Sequence, residues 1–185
     1  MPAFGTFAIS LLQFLDPKVS VCYGCKESLK PEGKVPSPPL DLTIVSRGEI
    51  RLAIEMGVSP QDIIYAHPCK KLSHIRFAEQ CGVSMMTFDC ESELHKMKET
   101  CPESKILIRF RPSSFSARHD TNGEKSGINP RDCKGLLMKA KNLGLDVVGV
   151  SFHVGSDSLD AKPYGEAIQT AKAIFETGVS LSVDL

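Results

Sequence analysis

The chain has 185 residues, 42% of them hydrophobic and 24% charged, with 22 basic against 22 acidic side chains and a formal net charge of zero. That length suits one domain with a real core, and the charge balance removes any electrostatic argument for nucleic acid or an anionic membrane surface as a partner. No apolar stretch approaches the roughly 18–20 residues of a membrane span, and the N-terminal apolar patch lacks the basic flank and cleavage site of a signal peptide. Seven cysteines, an odd and scattered set, read as free thiols in a reducing, cytoplasmic chain rather than as a disulfide framework.

Residues 1–39 differ from the rest of the chain. One short helical turn around Leu11, Leu12, Phe14 and Leu15 ends at Pro17, and the prolines at 31, 36, 38 and 39 suit neither a helix nor a central strand. This stretch is expected to be a poorly ordered lead-in. Cys22 and Cys25 form a lone CxxC. Zinc needs four ligands and no second pair lies at finger spacing, so no metal is expected.

From residue 40 a repeat takes over, and 40–185 is expected to form one folded unit. Four times a helical pattern closes on glycine and passes straight into a strand, at Gly57, Gly82, Gly144 and Gly178. Glycine at that position accepts the left-handed conformation that ends a helix. Strands are predicted at 40–45, 63–66, 85–89, 105–110, 147–152 and 181–185. Helices fill the gaps, the first opening on Ser46 and Glu49 at capping-box spacing and the fourth on Asn129-Pro130. The others are predicted over 72–80, over 92–99 and from near Pro163, with a polar loop between 111 and 127. Alternating strands and helices imply parallel strands with right-handed crossovers. About six such strands make an α/β fold that reads as an incomplete (β/α)8 barrel, two strands short of closure.

The stretch 146–158, DVVGVSFHVGSDS, is the one around which function is expected to gather. Its apolar run reads as a strand buried on both faces, and in parallel sheets function sits where strands end. His153 comes at that end with Gly155 and Ser156 behind it, well placed for a flat, phosphorylated ligand; a structural histidine fits the same position equally well.

The segments IIYAHPCKKLSHIRFAEQCGVSMMTFDCESELHKM, KILIRF and LDVVGVSFHVGS resemble the barrel domain of ornithine decarboxylase and its antizyme-inhibitor relatives, pyridoxal-phosphate proteins with an alanine-racemase-type TIM-like barrel. The resemblance runs from about Ser46 to Gly178. It implies pyridoxal 5'-phosphate as cofactor. By the same resemblance, His153 stacks on the pyridine ring as the catalytic candidate and Ser156 donates to the phosphate. Gly155 lets the backbone approach, and Arg109 enters the pocket near the ring. Glu49 matches a pocket carboxylate of the family, although its capping role accounts for it as well, and for Arg109 a surface ion pair is the alternative.

The departures are as informative. The family's Schiff-base lysine comes from a PFYAVKCN-like motif, which is replaced here by VCYGCKE, and Lys26 is not expected to substitute for it. The aspartate of a GFDCAS-like motif falls at Thr43. By the resemblance, the chain stops at Leu185 ahead of the family's glycine-rich phosphate loop, its ring-nitrogen acid and its C-terminal domain, as a fragment or shortened product would. The expectation is therefore an ornithine decarboxylase-like protein of putrescine and polyamine biosynthesis that does not catalyse alone. The alternative is an antizyme-inhibitor-like regulator that binds ornithine decarboxylase antizyme through the stretch 72–95, with Leu72, Arg76, Glu93 and Lys96 as contacts. A solvated helix face explains those charges without a partner, and a truncated product with no function of its own is a third outcome.

Overall fold

The computed structural model describes residues 23–24, 42–112, 126–154 and 162–182. They form one six-stranded sheet in sequential order, every neighbouring pair parallel. The strands are β1 Tyr23–Gly24, β2 Leu42–Ile44, β3 Ile63–Tyr65, β4 Met85–Phe88, β5 Lys105–Arg109 and β6 Asp146–Ser151. Crossover helices are α1 Arg47–Glu55, α2 Leu72–Gln80, α3 Glu91–Thr100, α4 Cys133–Asn142 and α5 Lys162–Ser180. This is the sequential, all-parallel plan of a TIM-type barrel, open among the described residues.

Two expectations, one at each end of the sheet, need correction. The sheet reaches back into the stretch expected to be a lead-in, because Tyr23 pairs with Leu42 and Gly24 with Thr43. At the other end α5 runs through Gly178, which is buried within it, and the left-handed position falls instead on Ser182 at φ 53°. Leu181 and Ser182 therefore lie in a turn, and the rest of the predicted strand 181–185 lies outside the described residues. The other three glycines behave as the repeat requires, with φ of 85° at Gly57, 82° at Gly82 and 63° at Gly144.

The two faces of the sheet have different tasks. Leu42, Ile44, Ile63, Tyr65, Met86, Phe88, Ile106, Ile108 and Val147 pack with Ile50, Ile75, Leu94, Met97 and Leu137 of the helices into one buried core. Burying a side chain of this kind contributes roughly 1.5–3 kcal/mol. Strand alternation sends Thr43, Ile64, Thr87, Leu107 and Arg109 to the opposite, inner face.

On β6 that alternation is broken once. Ile106 pairs with Val147 but Leu107 pairs with Gly149, so Val148 is an extra residue in the ladder. The bulge re-phases everything beyond it. Val150 joins Ile108 and Ser151 joins Arg109, and Phe152 meets Phe110 on the core side with ring centroids 5.3 Å apart. His153 is thereby returned to the inner side. Gly149 sits close under Leu107, where a Cβ would stand 3.2 Å from Leu107 Cδ2 and would require that side chain to give way.

The thiols of the described residues divide by burial. Cys69 is exposed, whereas Cys101 and Cys133 are buried, and burial pushes the Cys133 thiol up to about 11. Since the thiolate is the reactive form, peptide mapping after brief alkylation at neutral pH should find Cys69 modified, with Cys101 and Cys133 protected until the chain is unfolded. Early modification of Cys133 would contradict this packing. No group of histidine, cysteine and carboxylate side chains suited to a metal ion occurs among the described residues.

Candidate functional site

The C-terminal ends of β3 to β6 converge on one rim. Arg109 closes β5 on the inner face, and its Nη1 donates to Ala66 O at 3.0 Å, reaching past β4 to the exit of β3. Among the described residues its Nε is buried without a hydrogen-bond partner, although buried N–H groups are normally satisfied. Burial lowers the guanidinium's proton affinity, and Asp89, at the end of β4, opposes that effect. Ser151 pairs with Arg109 across the ladder, and the exposed His153 stands two residues beyond on the same side. The structure thus brings Arg109 and His153 to one edge of the sheet. Gly155 and Ser156 lie outside the described residues.

Glu49 has a local task. Its backbone N–H donates to Ser46 Oγ at 3.3 Å, while its carboxylate accepts from Val45 N at 2.8 Å. That is the predicted cap, its carboxylate reaching one residue further back than Ser46. Thr43 occupies the inner face opposite Ile64. A hydroxyl there supplies no negative charge.

The stretch 72–95 is only partly a surface. Arg76 is exposed and Leu72 half-buried on α2. Glu93 is a correction to the predicted contact set, because its side chain is completely buried. Lys70 Nζ lies 3.0 Å from Glu93 Oε2, an ion pair rather than a well-aligned hydrogen bond. The same ammonium donates to Thr87 O at 2.7 Å and His67 O at 3.2 Å. Lys70 N donates to Glu93 Oε1 at 3.1 Å. Lys96 closes the network from the solvent side, pairing with Glu93 and donating to Lys70 O. Lys96 is thus held largely by its own protein. The buried pair fastens the β3–α2 loop to the first turn of α3.

His67, at the rim between Ala66 and buried Pro68, is a residue that sequence reasoning misses. Its Nδ1 accepts from Cys69 N at 3.1 Å. Burial, then Lys70 and Arg109, lower its proton affinity below the ordinary 6.5, with Glu93 and Asp89 opposing. In the window from its depressed folded value up to 6.5 the unfolded chain binds more protons, so folding stability from this group rises with pH there. Urea midpoints measured across that window should climb less steeply in His67→Gln than in the unaltered protein; parallel curves would contradict the assignment.

Lys26 is the second residue that sequence reasoning discounts. It comes two positions after β1, and β1 pairs with β2 as the first strand of the sheet. Lys26 itself lies outside the described residues. The available signal is the Tyr23-x-x-Lys26 spacing, which matches the tyrosine and lysine of PFYAVKCN.

Residues 18–185 match the family model described as the pyridoxal-binding domain of pyridoxal-dependent decarboxylases. Among curated relatives, the chain is 46% identical over 133 residues to antizyme inhibitor 2 of Xenopus laevis, covering 71% of this chain and 28% of that protein. It is 41% identical over 140 residues to the probable ornithine decarboxylase of Dictyostelium discoideum, covering 76% of this chain and 30% of that one. The arginine decarboxylase of Paramecium bursaria Chlorella virus superposes with a TM-score of 0.77 at 31% identity, over 97% of this chain and 49% of that chain. The chain therefore spans about a third of the length of these curated relatives.

The described residues fit the cofactor of that family. An orphaned, buried Arg109 Nε calls for an acceptor on the inner face. Gly149 leaves that face without a side chain beside Leu107, and His153 supplies a flat ring at its edge.

Proposed function

This chain belongs to the pyridoxal-dependent decarboxylase family, in its pyridoxal-binding domain, and from that premise we propose that it is an ornithine decarboxylase-like protein of polyamine metabolism, which binds pyridoxal 5'-phosphate without completing decarboxylation by itself. The observation that carries the reading is the re-phased end of β6, which sets Ser151 and His153 on the face of Arg109 with its unsatisfied donor. Arg109 would hold an acceptor of the cofactor and His153 would cover its ring, a flat contact worth about 0.5–1.5 kcal/mol beyond the area buried. Gly155 and Ser156 would meet the phosphate, and Lys26 is the amine placed by sequence to attach the aldehyde. The cofactor, when bound, supplies the electron sink for loss of carboxylate from an amino acid. Thr43, standing where the family resemblance sets an aspartate, supports binding without turnover. The free thiols suit a cytoplasmic setting, and no helix of the described residues is long and apolar enough to cross a membrane.

The test is a pair of assays on the purified chain, pyridoxal phosphate titration by absorbance and release of carbon dioxide from ornithine. Saturable binding that weakens in His153→Ala, with no release, supports the reading. Absence of binding, or turnover by the chain alone, overturns it.

A second reading has its own support. The 46% identity to a protein named antizyme inhibitor 2 and the exposed Arg76 on α2 suit a regulator that binds antizyme. Capture by immobilised antizyme that falls about tenfold in Arg76→Glu supports it, and equal retention of antizyme-free and antizyme-loaded resin removes it.

A further inference from the structure

We infer that His67 is a ligand-contacting residue of this rim, a fixed imidazole whose Nε2–H donates to an anionic oxygen of the bound molecule, a carboxylate or a phosphate. The inference rests on the cofactor reading above and adds a residue to the same site.

Three independent hydrogen bonds fasten the segment that carries this ring. Arg109 Nη1 holds Ala66 O at 3.0 Å, immediately before it. Lys70 Nζ holds the carbonyl of His67 itself at 3.2 Å, from a side chain that is completely buried. Cys69 N holds the ring through Nδ1 at 3.1 Å. An exposed loop residue needs no such anchorage to remain folded, since water satisfies it. The anchorage instead fixes where Nε2 points. With Nδ1 accepting a hydrogen bond, the neutral ring carries its proton on Nε2, which makes that atom a donor.

The surroundings explain why a neutral donor suits this position. The Arg109 guanidinium reaches the same backbone from the inner face and already supplies a positive charge for an anion. A second cation beside it would raise the repulsion that Lys70 and Arg109 already exert on the ring. A neutral N–H adds direction without adding charge. Hydrogen bonds to a charged acceptor contribute about 1.5–3 kcal/mol, which corresponds to roughly tenfold or more in affinity.

The experiment is nitrogen-15 NMR of the whole chain with labelled histidine, His67 and His153 being assigned from the His67→Gln and His153→Gln variants and His74 on α2 serving as the remote reference. The free chain is expected to show His67 as the neutral Nε2–H tautomer; the opposite tautomer overturns the inference. Pyridoxal phosphate, pyridoxal lacking the phosphate, and pyridoxal phosphate with ornithine are then added separately. Movement of the His67 signal with the phosphorylated cofactor but not with pyridoxal assigns the donor to phosphate. Movement only after ornithine assigns it to carboxylate. Movement of His153 alone in every arm overturns the inference while the cofactor reading stands, and movement of neither signal overturns both. In the arm that moves His67, His67→Phe should weaken binding about tenfold, and unchanged affinity overturns the contact.

Discussion

Replacing Glu93 by alanine is expected to cost about 3–5 kcal/mol of folding stability, the usual penalty for breaking a buried pair and leaving one charge without its partner. The Lys70 ammonium would remain completely buried with only two carbonyl oxygens for company, and Lys96 would lose its anchor. A domain of this size holds roughly 5–15 kcal/mol in all, so the loss brings it close to unfolding. The effect carries a pH signature. Burial already lowers the proton affinity of Lys70 below the ordinary 10.5, and Glu93 is the main force restoring it. Without Glu93 the folded chain binds the Lys70 proton still less tightly than the unfolded chain does, so the penalty shrinks as pH rises towards 10.5. Urea unfolding of Glu93→Ala should show a large drop in midpoint at neutral pH and a smaller one in alkaline buffer. The double variant Lys70→Met with Glu93→Leu, an apolar pair of similar volume, should recover most of the loss. A pH-independent drop would place the cost in a packing cavity instead.

Arg109→Leu is expected to leave the fold nearly as stable and to weaken pyridoxal phosphate binding about tenfold or more. Its guanidinium keeps a buried, unsatisfied Nε and a proton affinity lowered by burial, so removing it relieves a desolvation cost that offsets the lost bond to Ala66 O. Sites commonly hold groups of this kind, which cost stability and serve binding. What leucine cannot do is donate to an acceptor on the inner face. Thermal midpoint and cofactor titration measured on one preparation separate the two effects. Equal losses in both would make Arg109 a structural residue.

The distinction between these two residues shows what the sequence discloses and what it withholds. The capping box at Ser46 and Glu49 is legible because its chemistry is local, and the glycines at 57, 82 and 144 because a helix ending requires them. Gly178 misleads because the pattern around it is equally consistent with a longer helix, which buries it in α5. β1 escapes notice because two residues are too few to show a period. The register of β6 is invisible for a deeper reason. DVVGVSFH reads as an unbroken apolar run, and only its pairing with β5 makes Val148 an extra residue and returns His153 to the face of Arg109. His153 is therefore legible from its strand end, while the bulge that aims it is not. Glu93 reads as a surface residue because it is one acidic side chain among several. Yet it shares the spacing of Leu94 and Met97 on the buried stripe of α3, and a carboxylate on an apolar stripe calls for a buried cation. Nothing local connects it with Lys70, which lies 23 residues earlier.

Cofactor attachment is proposed at Lys26, which follows β1 by two positions in the sequence, with Arg109 and His153 holding the bound molecule. Borohydride reduction of the chain with stoichiometric pyridoxal phosphate, then peptide mapping, tests it directly. The expected result is a single modified lysine, Lys26, with the yield reduced in His153→Ala and Arg109→Leu. Modification scattered over exposed lysines such as Lys134 and Lys172, indifferent to both variants, would contradict it.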